Sequence, residues 1–426
     1  MSPSMTARAI TETGPARRQL DAVDALGRTA LDKAIAGQPI DDRQALHLLA
    51  LPAAHLPALL AVAGQVRTRR KGHVVTYSPK VFLPITNLCL DRCSYCTFRK
   101  DPDSPEAWTM LPEEIRDWSR RGRARGCIEA LMCLGDKPER AYKAYRQTLA
   151  VLGHASTIDY VAQCCQLALA EGLLPHTNAG VMTHDELVQL RPVNVSMGLM
   201  LESVSARLRE RGGAHQQAPD KDPAVRLAML RDAGRLRIPF TTGILLGIGE
   251  TLAERVESLR AIADLQTEFG HIQEIIVQNF RAKPATRMAA APEPESADVA
   301  RTLAVARLML PDMNIQAPPN LSPHDHRLFL AAGINDWGGI SPLTLDYVNP
   351  EAPWPQVQAL AATCAAAGFT LTPRLPVYPQ YLEGSAWIDP ALRPYVSALT
   401  PAAPARPESA RPAGAEAAMQ GVTHVG

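Results

Sequence analysis

Three cysteines that lie close together in the sequence have the most distinctive chemistry in the chain. Cys89, Cys93 and Cys96 fall within eight residues, in the spacing C-x-x-x-C-x-x-C. Thiolates are the usual protein ligands of iron–sulfur clusters, and a cluster of about four irons needs one ligand for each iron. Three thiolates would therefore leave one iron open to a small molecule. The spacing predicts a 4Fe-4S cluster with one open coordination site.

Other cysteine sites share part of this pattern. A structural zinc site prefers paired C-x-x-C units and no second pair lies nearby, whereas a ferredoxin-type carrier binds each cluster with a full set of cysteines in a smaller domain. Chance clustering of buried cysteines is the third alternative. The other cysteines of the eight are irregularly placed. That distribution does not indicate a disulfide framework and favours a reducing cytoplasm.

Alternating strands and helices are predicted to position the cysteines. From about Thr76 onward, short apolar runs alternate with longer amphipathic segments, which indicates parallel β/α units. The predicted strands are Val81–Ile85, Ile128–Leu134, Leu173–Thr177, Val193–Leu201, Ile238–Leu246, Glu274–Phe280, Ile315–Ala317 and Gly339–Leu343. The pattern favours an α/β fold with a TIM-type (β/α) barrel, complete or partial. A six-stranded open barrel is the alternative. The cysteines follow the first strand, at the barrel edge where such enzymes carry their chemistry.

Five segments are predicted along the chain. They are a disordered leader (1–18), a helical N-terminal extension (19–75), the barrel core (76–345), a C-terminal extension (346–399) and a disordered tail rich in Ala and Pro (400–426). Asp41 and Asp42 precede an apolar helical run and predict a helix start. The basic run from Arg67 to Gly72 is expected to be solvated.

Composition excludes several classes of protein. The 44 Lys and Arg residues nearly balance 43 Asp and Glu residues, for a formal charge of +1, which argues against binding to nucleic acid or membrane through bulk charge. No apolar run reaches the ~18 residues that span a bilayer, and the first residues lack the apolar core of a secretory signal. We therefore expect a cytoplasmic protein without nucleic-acid or membrane partners.

The cysteine spacing, with Tyr95 directly before the third cysteine, resembles the radical S-adenosylmethionine (SAM) superfamily. In that superfamily the open iron chelates the amino and carboxylate groups of SAM. The resemblance implies a 4Fe-4S cluster, one per chain, with Cys89, Cys93 and Cys96 as its ligands. It also implies SAM contacts by residues near strand ends. These are Tyr95, Asp136, Glu202, Gly247 and Asn279.

Three of these contacts have their own sequence context. Asp136 stands where the superfamily has a Gly-Gly-Glu-like element that contacts the SAM amino group, although a helix N-cap is the alternative role. Glu202 emerges from an apolar strand and must be paired, with ribose hydroxyls or with a structural salt bridge. Gly243–Glu250 resembles the superfamily's G-x-I-x-G-x-x-E element, with Leu245 in place of Ile. Its glycines would let the backbone approach adenine, but Glu250 could equally start the next helix.

Polar residues at the same strand ends are candidate substrate ligands. They are Asn178, Ser196, Arg281, Asn320 and Asp336. The Gln/Asn/Arg cluster in 278–284 suits hydrogen bonding to a polar heterocycle. His324 and His326 suggest a metal site, but Pro323 at a helix start favours a solvent-facing turn.

Two strings narrow the resemblance to one family. Gln278–Pro284 (QNFRAKP) and Ala332–Gly339 (AGINDWGG) are similar to the first subunit of the synthase for 7,8-didemethyl-8-hydroxy-5-deazariboflavin (FO), and the similarity runs from about Tyr77 to Tyr378. In that family a companion radical SAM subunit joins the tyrosine side chain to a ribityl-diaminouracil. The first subunit closes the resulting adduct, 5-amino-5-(4-hydroxybenzyl)-6-(D-ribitylimino)-5,6-dihydrouracil, with loss of ammonia.

The family resemblance implies a radical SAM carbon–nitrogen lyase in deazaflavin coenzyme biosynthesis. SAM would break into methionine and a 5'-deoxyadenosyl radical, which would take hydrogen from the benzylic carbon of the adduct. The implied partners are this small-molecule adduct, the companion subunit and a low-potential electron donor. Two rival enzymes share the cysteine motif, the companion subunit itself and a tyrosine lyase. The non-enzyme alternative is an iron–sulfur electron-transfer or scaffold protein.

Overall fold

The computed structural model describes residues 19–384 and 386–400. The predicted leader (1–18) and the predicted tail beyond Thr400 lie outside the described residues. The helices are α1 (Ala25–Ile35), α2 (Asp42–Ala50), α3 (Leu56–Lys71), α4 (Pro112–Ala124), α5 (Pro138–Ala141), α6 (Lys143–Val151), α7 (Thr157–Ala170), α8 (His184–Leu190), α9 (Pro223–Arg235), α10 (Leu252–Phe269), α11 (Ser296–Met309), α12 (His326–Ala331), α13 (Val357–Ala366) and α14 (Arg393–Leu399). The strands are β1 (Val74–Pro84), β2 (Glu129–Cys133), β3 (Leu174–Asn178), β4 (Ser196–Gly198), β5 (Phe240–Leu246), β6 (Ile272–Asn279), β7 (Ile315–Gln316), β8 (Asp336–Ile340) and β9 (Thr370–Pro373).

The first eight strands form a closed parallel barrel. Each strand pairs with the next, and β1 closes the ring by pairing with both β2 and β8. Helices cover the outside, so the apolar residues between strands and helices form the main core. The TIM-type barrel is confirmed in its complete form, and the six-stranded open alternative is wrong.

The observed strands differ most from the predicted ones at β1, and by three residues at each end of β4 and β8. β1 begins at Val74, whereas the predicted strand begins at Val81. The first half of β1 was missed because its inward-pointing residues, Thr76, Ser78 and Lys80, are polar and do not form an apolar run. β8 begins three residues before the predicted Gly339. Its glycines and its acidic first residue are atypical of strands, which is why an apolar pattern misplaced it.

The N-terminal helices pack against the barrel. The predicted helix start is confirmed, since Asp41 and Gln44 form a reciprocal capping box with bonds of 2.9 and 3.1 Å. The basic run is not wholly solvated, because Arg67 is fully buried and donates to the carbonyls of Ile334 and Val74. These backbone acceptors satisfy the guanidinium without a carboxylate partner.

The C-terminal extension closes the amino end of the barrel. β9 pairs in parallel with the first residues of β1. The chain then carries Arg374 and Pro376 beneath the strands, where the Pro376 carbonyl accepts from Ser196 Oγ (2.7 Å) and Gln273 Nε2 (3.0 Å). The end of the barrel opposite the cysteines is therefore plugged by residues from the last part of the chain.

Among the residues that the structure describes, no single helix has the length and apolarity needed to cross a membrane. Two consecutive helical segments, Asp42–Ala50 and Ala53–Lys71, meet these criteria only when they are taken together, and the chain bends by 112° between them.

Candidate active site

A cavity of about 380 Å³ runs from the mouth of the barrel to its plugged end. Inward-facing positions of the strands line it in alternation, as the pleat requires. Cys89, Cys93 and Cys96 border its upper end, which we call the rim. The lower end, the floor, is formed by charged and polar side chains. The floor residues are Lys80, Glu129, His176, Glu274, Gln316 and Arg374.

The cysteine loop is held in place by backbone hydrogen bonds to two other loops. The amide of Leu90 donates to the Asp136 carbonyl, and the amides of Arg92 and Ser94 donate to Gln217 and Ala214, each at 2.8 Å. The loop after β2 approaches so closely that a Cβ on Gly135 would lie 2.1 Å from the Leu88 carbonyl oxygen and 2.5 Å from Cys89 Cβ. Glycine is required there by space and not by an unusual backbone angle.

The three cysteines are better suited to bind a metal cluster as thiolates than to remain buried as free thiols. All three are free of disulfides, and Cys89 Sγ accepts a hydrogen bond from the Asp136 amide at 3.1 Å. Burial raises the pKa of the Cys89 thiol, and it raises that of Cys93 to about 12. A bound metal supplies the positive charge that stabilises such thiolates. No group of three or more His, Cys, Asp or Glu within the described part of the chain has the geometry for a single metal ion. The ligands of a cluster bind different irons and need not converge on one point.

Asp136 carries the clearest sign of a missing ligand. Its Oδ2 accepts from the Val181 amide at 3.0 Å, whereas its Oδ1 is buried and has no hydrogen-bond partner. Burial, and then the nearby Asp220 carboxylate, raise the pKa of Asp136 to about 8. Gly180 makes room for it, because a Cβ there would lie 2.4 Å from Asp136 Cγ. An orphaned carboxylate oxygen beside Cys89 fits a cationic group such as the amino group of SAM.

Glu202 lies at the rim as predicted, but its carboxylate is already hydrogen-bonded and ion-paired to other side chains. Tyr95 Oη donates to Oε2 at 2.5 Å, His215 Nε2 lies 3.0 Å from the same oxygen, and Lys221 pairs with Oε1. Burial alone would raise the pKa of Glu202, but Lys221 and His215 outweigh burial and hold that pKa well below its usual range. Its φ of 64° is a left-handed angle seldom adopted outside glycine. Tyr95, the predicted SAM contact in the cysteine motif, thus orients Glu202.

The other two predicted SAM contacts lie outside the cavity lining. Gly247 (φ 88°) packs against Pro294, and its amide donates to both carboxylate oxygens of Glu250 at 2.9 and 3.1 Å. Glu250 also pairs with Arg255, so the glycine-rich turn is braced by its own glutamate. Asn279 is buried, and its amide donates to the Leu321 carbonyl at 3.4 Å.

The five predicted substrate ligands divide into two groups. Asn178 and Asn320 line the cavity, and Asn320 Oδ1 is buried without a partner. Ser196 is fully buried against the plug, and Arg281 forms a half-exposed pair with Glu293. Asp336 lies at the amino end of β8, paired with Arg374 at 2.6 Å. The structure therefore does not bring these last three to the cavity surface.

An aromatic wall borders the cavity on the side of the C-terminal extension. Phe82 stacks on Trp354 with ring centroids 5.1 Å apart, and Tyr347 lines the same space. The loop that carries Trp354 is fixed by the indole nitrogen, which donates to the Thr344 carbonyl at 3.0 Å. Such a wall accommodates a flat ring next to the polar floor.

Sequence reasoning missed the floor. Lys80 pairs with Glu129 at 2.7 Å, and Arg374 pairs with Glu274 at 2.9 Å. The signal was present in part, since Glu129 and Glu274 are charges inside predicted strands. Two glycines of β8 make room for this layer. A Cβ on Gly339 would lie 2.1 Å from Lys80 Cε, and one on Gly338 would lie 1.9 Å from Gln316 Nε2.

Comparisons with known proteins identify relatives of the chain. Residues 83–262 match the family model of the radical SAM superfamily. The FO synthase of Streptomyces coelicolor is 48% identical over 409 residues, which are 93% of this chain and 47% of the relative. The FO synthase of Mycobacterium tuberculosis is 51% identical over 365 residues, 83% of this chain and 43% of the relative. The chain thus spans about half the length of these relatives.

A shorter relative matches over nearly its whole length. The 7,8-didemethyl-8-hydroxy-5-deazariboflavin synthase of Methanopyrus kandleri is 48% identical over 311 residues, which are 73% of this chain and 93% of the relative. The match is high enough in identity and coverage to establish a common family.

Solved structures share the fold. The FeFe-hydrogenase maturase HydG from Carboxydothermus hydrogenoformans has a TM-score of 0.66 at 18% identity, covering 84% of this chain and 83% of its own. Methylornithine synthase (PylB) has a TM-score of 0.64 at 19% identity, covering 80% of this chain and 97% of its own. At such identities the likeness concerns the barrel alone.

Membership of the radical SAM superfamily implies a 4Fe-4S cluster and SAM as cofactors. The cysteine loop, the orphaned Asp136 oxygen and the closed barrel fit those cofactors. From its match to the Methanopyrus kandleri enzyme and to the superfamily model, the chain belongs to the 7,8-didemethyl-8-hydroxy-5-deazariboflavin synthase family of the radical SAM superfamily.

Proposed function

We propose that this chain closes the tyrosine–ribityldiaminouracil adduct to 7,8-didemethyl-8-hydroxy-5-deazariboflavin, with loss of ammonia. The observation that carries the proposal is the orphaned Asp136 Oδ1 beside Cys89, above a cavity whose lower half is polar. The near-complete coverage of the Methanopyrus kandleri synthase supports the same reaction. The cytoplasmic location and the companion radical SAM subunit belong to this proposal as well.

The rim residues hold the cofactors in this scheme. Cys89, Cys93 and Cys96 ligate the cluster, and Asp136 Oδ1 receives the amino group of SAM. When bound, the cluster and SAM together supply a carbon radical that can abstract a hydrogen atom from an unactivated C–H bond. Glu202 is already satisfied by Tyr95 and Lys221, so we assign it to holding the loop below SAM and not to direct ribose binding.

The remaining cavity binds the adduct and excludes water. The wall of Phe82 and Trp354 accepts a flat ring, and Asn178 and Asn320 offer amide groups to its heteroatoms. The plug formed by the C-terminal extension seals the opposite end, so the reacting carbon is reached only from the rim. Exclusion of water protects a radical intermediate from side reactions.

Anaerobically reconstituted protein, incubated with SAM, a reductant and the chemically prepared adduct, tests the proposal. We expect the fluorescent deazaflavin to form together with 5'-deoxyadenosine. Release of 5'-deoxyadenosine without deazaflavin would contradict the substrate assignment. Condensation of tyrosine with the ribityl-diaminouracil by this chain alone would favour the companion activity instead.

A matched pair of cysteine variants tests the ligand assignment. Cys93→Ala should lose both products and most of its bound iron. Cys127→Ala removes a free, fully buried thiol outside the cavity and should keep its iron content. Equal iron contents in the two variants would contradict the assignment of Cys93.

A further inference from the structure

We propose that the floor of the barrel is a binding subsite for an uncharged hydrogen-bond-donating group of the substrate, and that His176 Nε2 is its acceptor. The inference rests on the proposed function for the identity of the substrate, but the state of the His176 ring can be tested without substrate. A hydroxyl or an imide N–H is the chemical class that such an acceptor recognises.

The hydrogen bonds of Ser196 fix the tautomer of His176. Ser196 Oγ lies 2.7 Å from the Pro376 carbonyl oxygen, which can only accept a hydrogen bond. The single hydroxyl proton of Ser196 is therefore donated to Pro376. His176 Nδ1 lies 2.7 Å from the same hydroxyl oxygen, so Nδ1 must carry a proton and donate it. In a neutral imidazole the other nitrogen, Nε2, then bears a lone pair.

The lone pair on His176 Nε2 faces the cavity. Among the described residues, no hydrogen bond to His176 Nε2 is formed, and the ring lines the cavity. Gly198 on the neighbouring strand leaves the nitrogen uncovered, because a Cβ at that position would lie 2.9 Å from Nε2. A nearly buried acceptor without a partner is costly unless a ligand or water satisfies it.

The His176 ring is neutral at physiological pH. Burial lowers the pKa of His176 to about 4. The charged groups that face it have opposing effects, since Glu129 raises that pKa whereas Lys80 and Arg374 lower it. The ring is therefore an acceptor and not an imidazolium donor throughout the neutral range.

The floor has no net charge with which to bind an ion. Lys80 pairs with Glu129, and Arg374 pairs with Asp336. Glu274 is the third carboxyl group of this layer, and its pKa is raised to about 8, first by burial and then by Asp336, beyond what Arg374 compensates. Two cations thus face two ionised carboxylates and one neutral acid, which suits an uncharged ligand.

Nuclear magnetic resonance of the protein with ¹⁵N-labelled histidine tests the tautomer. We expect the His176 resonances at neutral pH to show a protonated Nδ1 and an unprotonated Nε2, assigned by their loss in His176→Asn. Protonation of Nε2 at neutral pH would overturn the inference. This readout is independent of turnover, so it stands even if the proposed reaction fails.

Two isosteric variants separate binding from a structural role. In His176→Asn the side-chain amide takes the place of Nδ1 and can donate to Ser196, but the acceptor is lost. In His176→Gln the amide oxygen takes the place of Nε2. We expect KM for the adduct to rise about 10-fold in His176→Asn, as for one lost hydrogen bond, with partial recovery in His176→Gln. Retained binding in the Asn variant with loss in the Gln variant would overturn the inference.

Two controls complete the test. His154→Gln alters a histidine that bonds Gln163 away from the cavity and should keep the wild-type KM. An analogue of the adduct with methyl in place of the ribityl chain identifies the donor. A smaller effect of His176→Asn on this analogue assigns a ribityl hydroxyl to the floor, and an undiminished effect assigns a ring N–H. Equal KM values for wild type and His176→Asn with both compounds would overturn the subsite.

Discussion

The rim and the floor of the cavity differ in which of their buried polar groups lack a partner. At the rim, Asp136 Oδ1 and Asn320 Oδ1 are buried without partners. At the floor, Lys80 pairs with Glu129 and Arg374 pairs with Asp336. Leaving a polar atom unpaired costs about 1–3 kcal/mol, so the rim is built for groups that the polypeptide does not supply. The charged groups of the floor are paired with one another. The floor can therefore offer a ligand only hydrogen bonds with uncharged groups.

The closest approach at the rim gives the largest expected effect. Gly135→Ala would place a Cβ 2.1 Å from the Leu88 carbonyl oxygen and 2.5 Å from Cys89 Cβ, so the cysteine loop must move. We expect nearly complete loss of bound iron and sulfide after reconstitution, measured per folded chain. Gly153→Ala is the control, because its strain comes from a φ of 84° with open space around the Cβ. Full iron content in Gly135→Ala would show that the loop is not held as described.

Removing one charge from the floor should lower the free energy of unfolding. Arg374→Met leaves the ionised Asp336 buried without its cation and removes the hydrogen bond that Arg374 donates to Glu274. Breaking a buried pair costs about 3–5 kcal/mol. Urea unfolding of the cofactor-free protein measures the change. The control Arg120→Met removes an exposed pair with Glu171, where we expect about 0–1 kcal/mol. A similar, small change in both variants would remove the distinction between floor and surface.

The orphaned oxygen of the rim should be required for binding and not for folding. In Asp136→Asn the carbonyl oxygen can keep the bond from the Val181 amide, so the amide nitrogen then faces the place of the SAM amino group. We expect SAM to bind about 10- to 100-fold more weakly, as for the loss of a hydrogen bond to a charged group. Equilibrium binding to reconstituted protein measures this, with Glu106→Gln as an exposed control. Unchanged SAM affinity would remove Asp136 from the site.

The smallest expected effect is the acid sensitivity that His176 gives to folding. Its pKa is about 4 in the folded protein against a usual 6.5, so between these values the unfolded chain binds a proton that the folded chain does not. Stability contributed by the neutral ring is present above pH 6.5 and falls as the pH drops toward 4. Between pH 7 and 5 the loss should be about 2 kcal/mol.

Urea unfolding of the cofactor-free protein at both pH values checks the slope. His176→Asn should show a smaller loss of stability on acidification than the wild type, and His154→Gln should show the wild-type loss. Equal slopes for wild type and His176→Asn would mean that the ring is not held neutral by burial.

The sequence was sufficient to place part of the rim because that part is local. Cys89, Cys93 and Cys96 lie on one loop, and Asp136 and Glu202 follow apolar strands, so their positions at the carboxyl edge could be predicted. Their partners could not. The Tyr95–Glu202 hydrogen bond joins residues far apart in the chain, and the Lys221 ammonium comes from a loop without a recognisable pattern.

The floor could not be predicted because it depends on tertiary contacts. Arg374 lies beyond the barrel in sequence, in a segment with only a weak extended pattern, and it reaches Asp336 and Glu274 through the plug. Asp336 was expected among substrate ligands although it precedes the predicted strand start at Gly339. The structure places it at the amino end of β8, where it pairs with Arg374.

Spectroscopy of the anaerobically reconstituted protein tests the central claim most directly. Mössbauer and electron paramagnetic resonance spectra should show one 4Fe-4S cluster per chain, with about four irons, and the signals of one iron should change when SAM is added. Absence of a cluster, or a cluster whose spectra do not respond to SAM, would contradict an open iron held beside Asp136 by Cys89, Cys93 and Cys96.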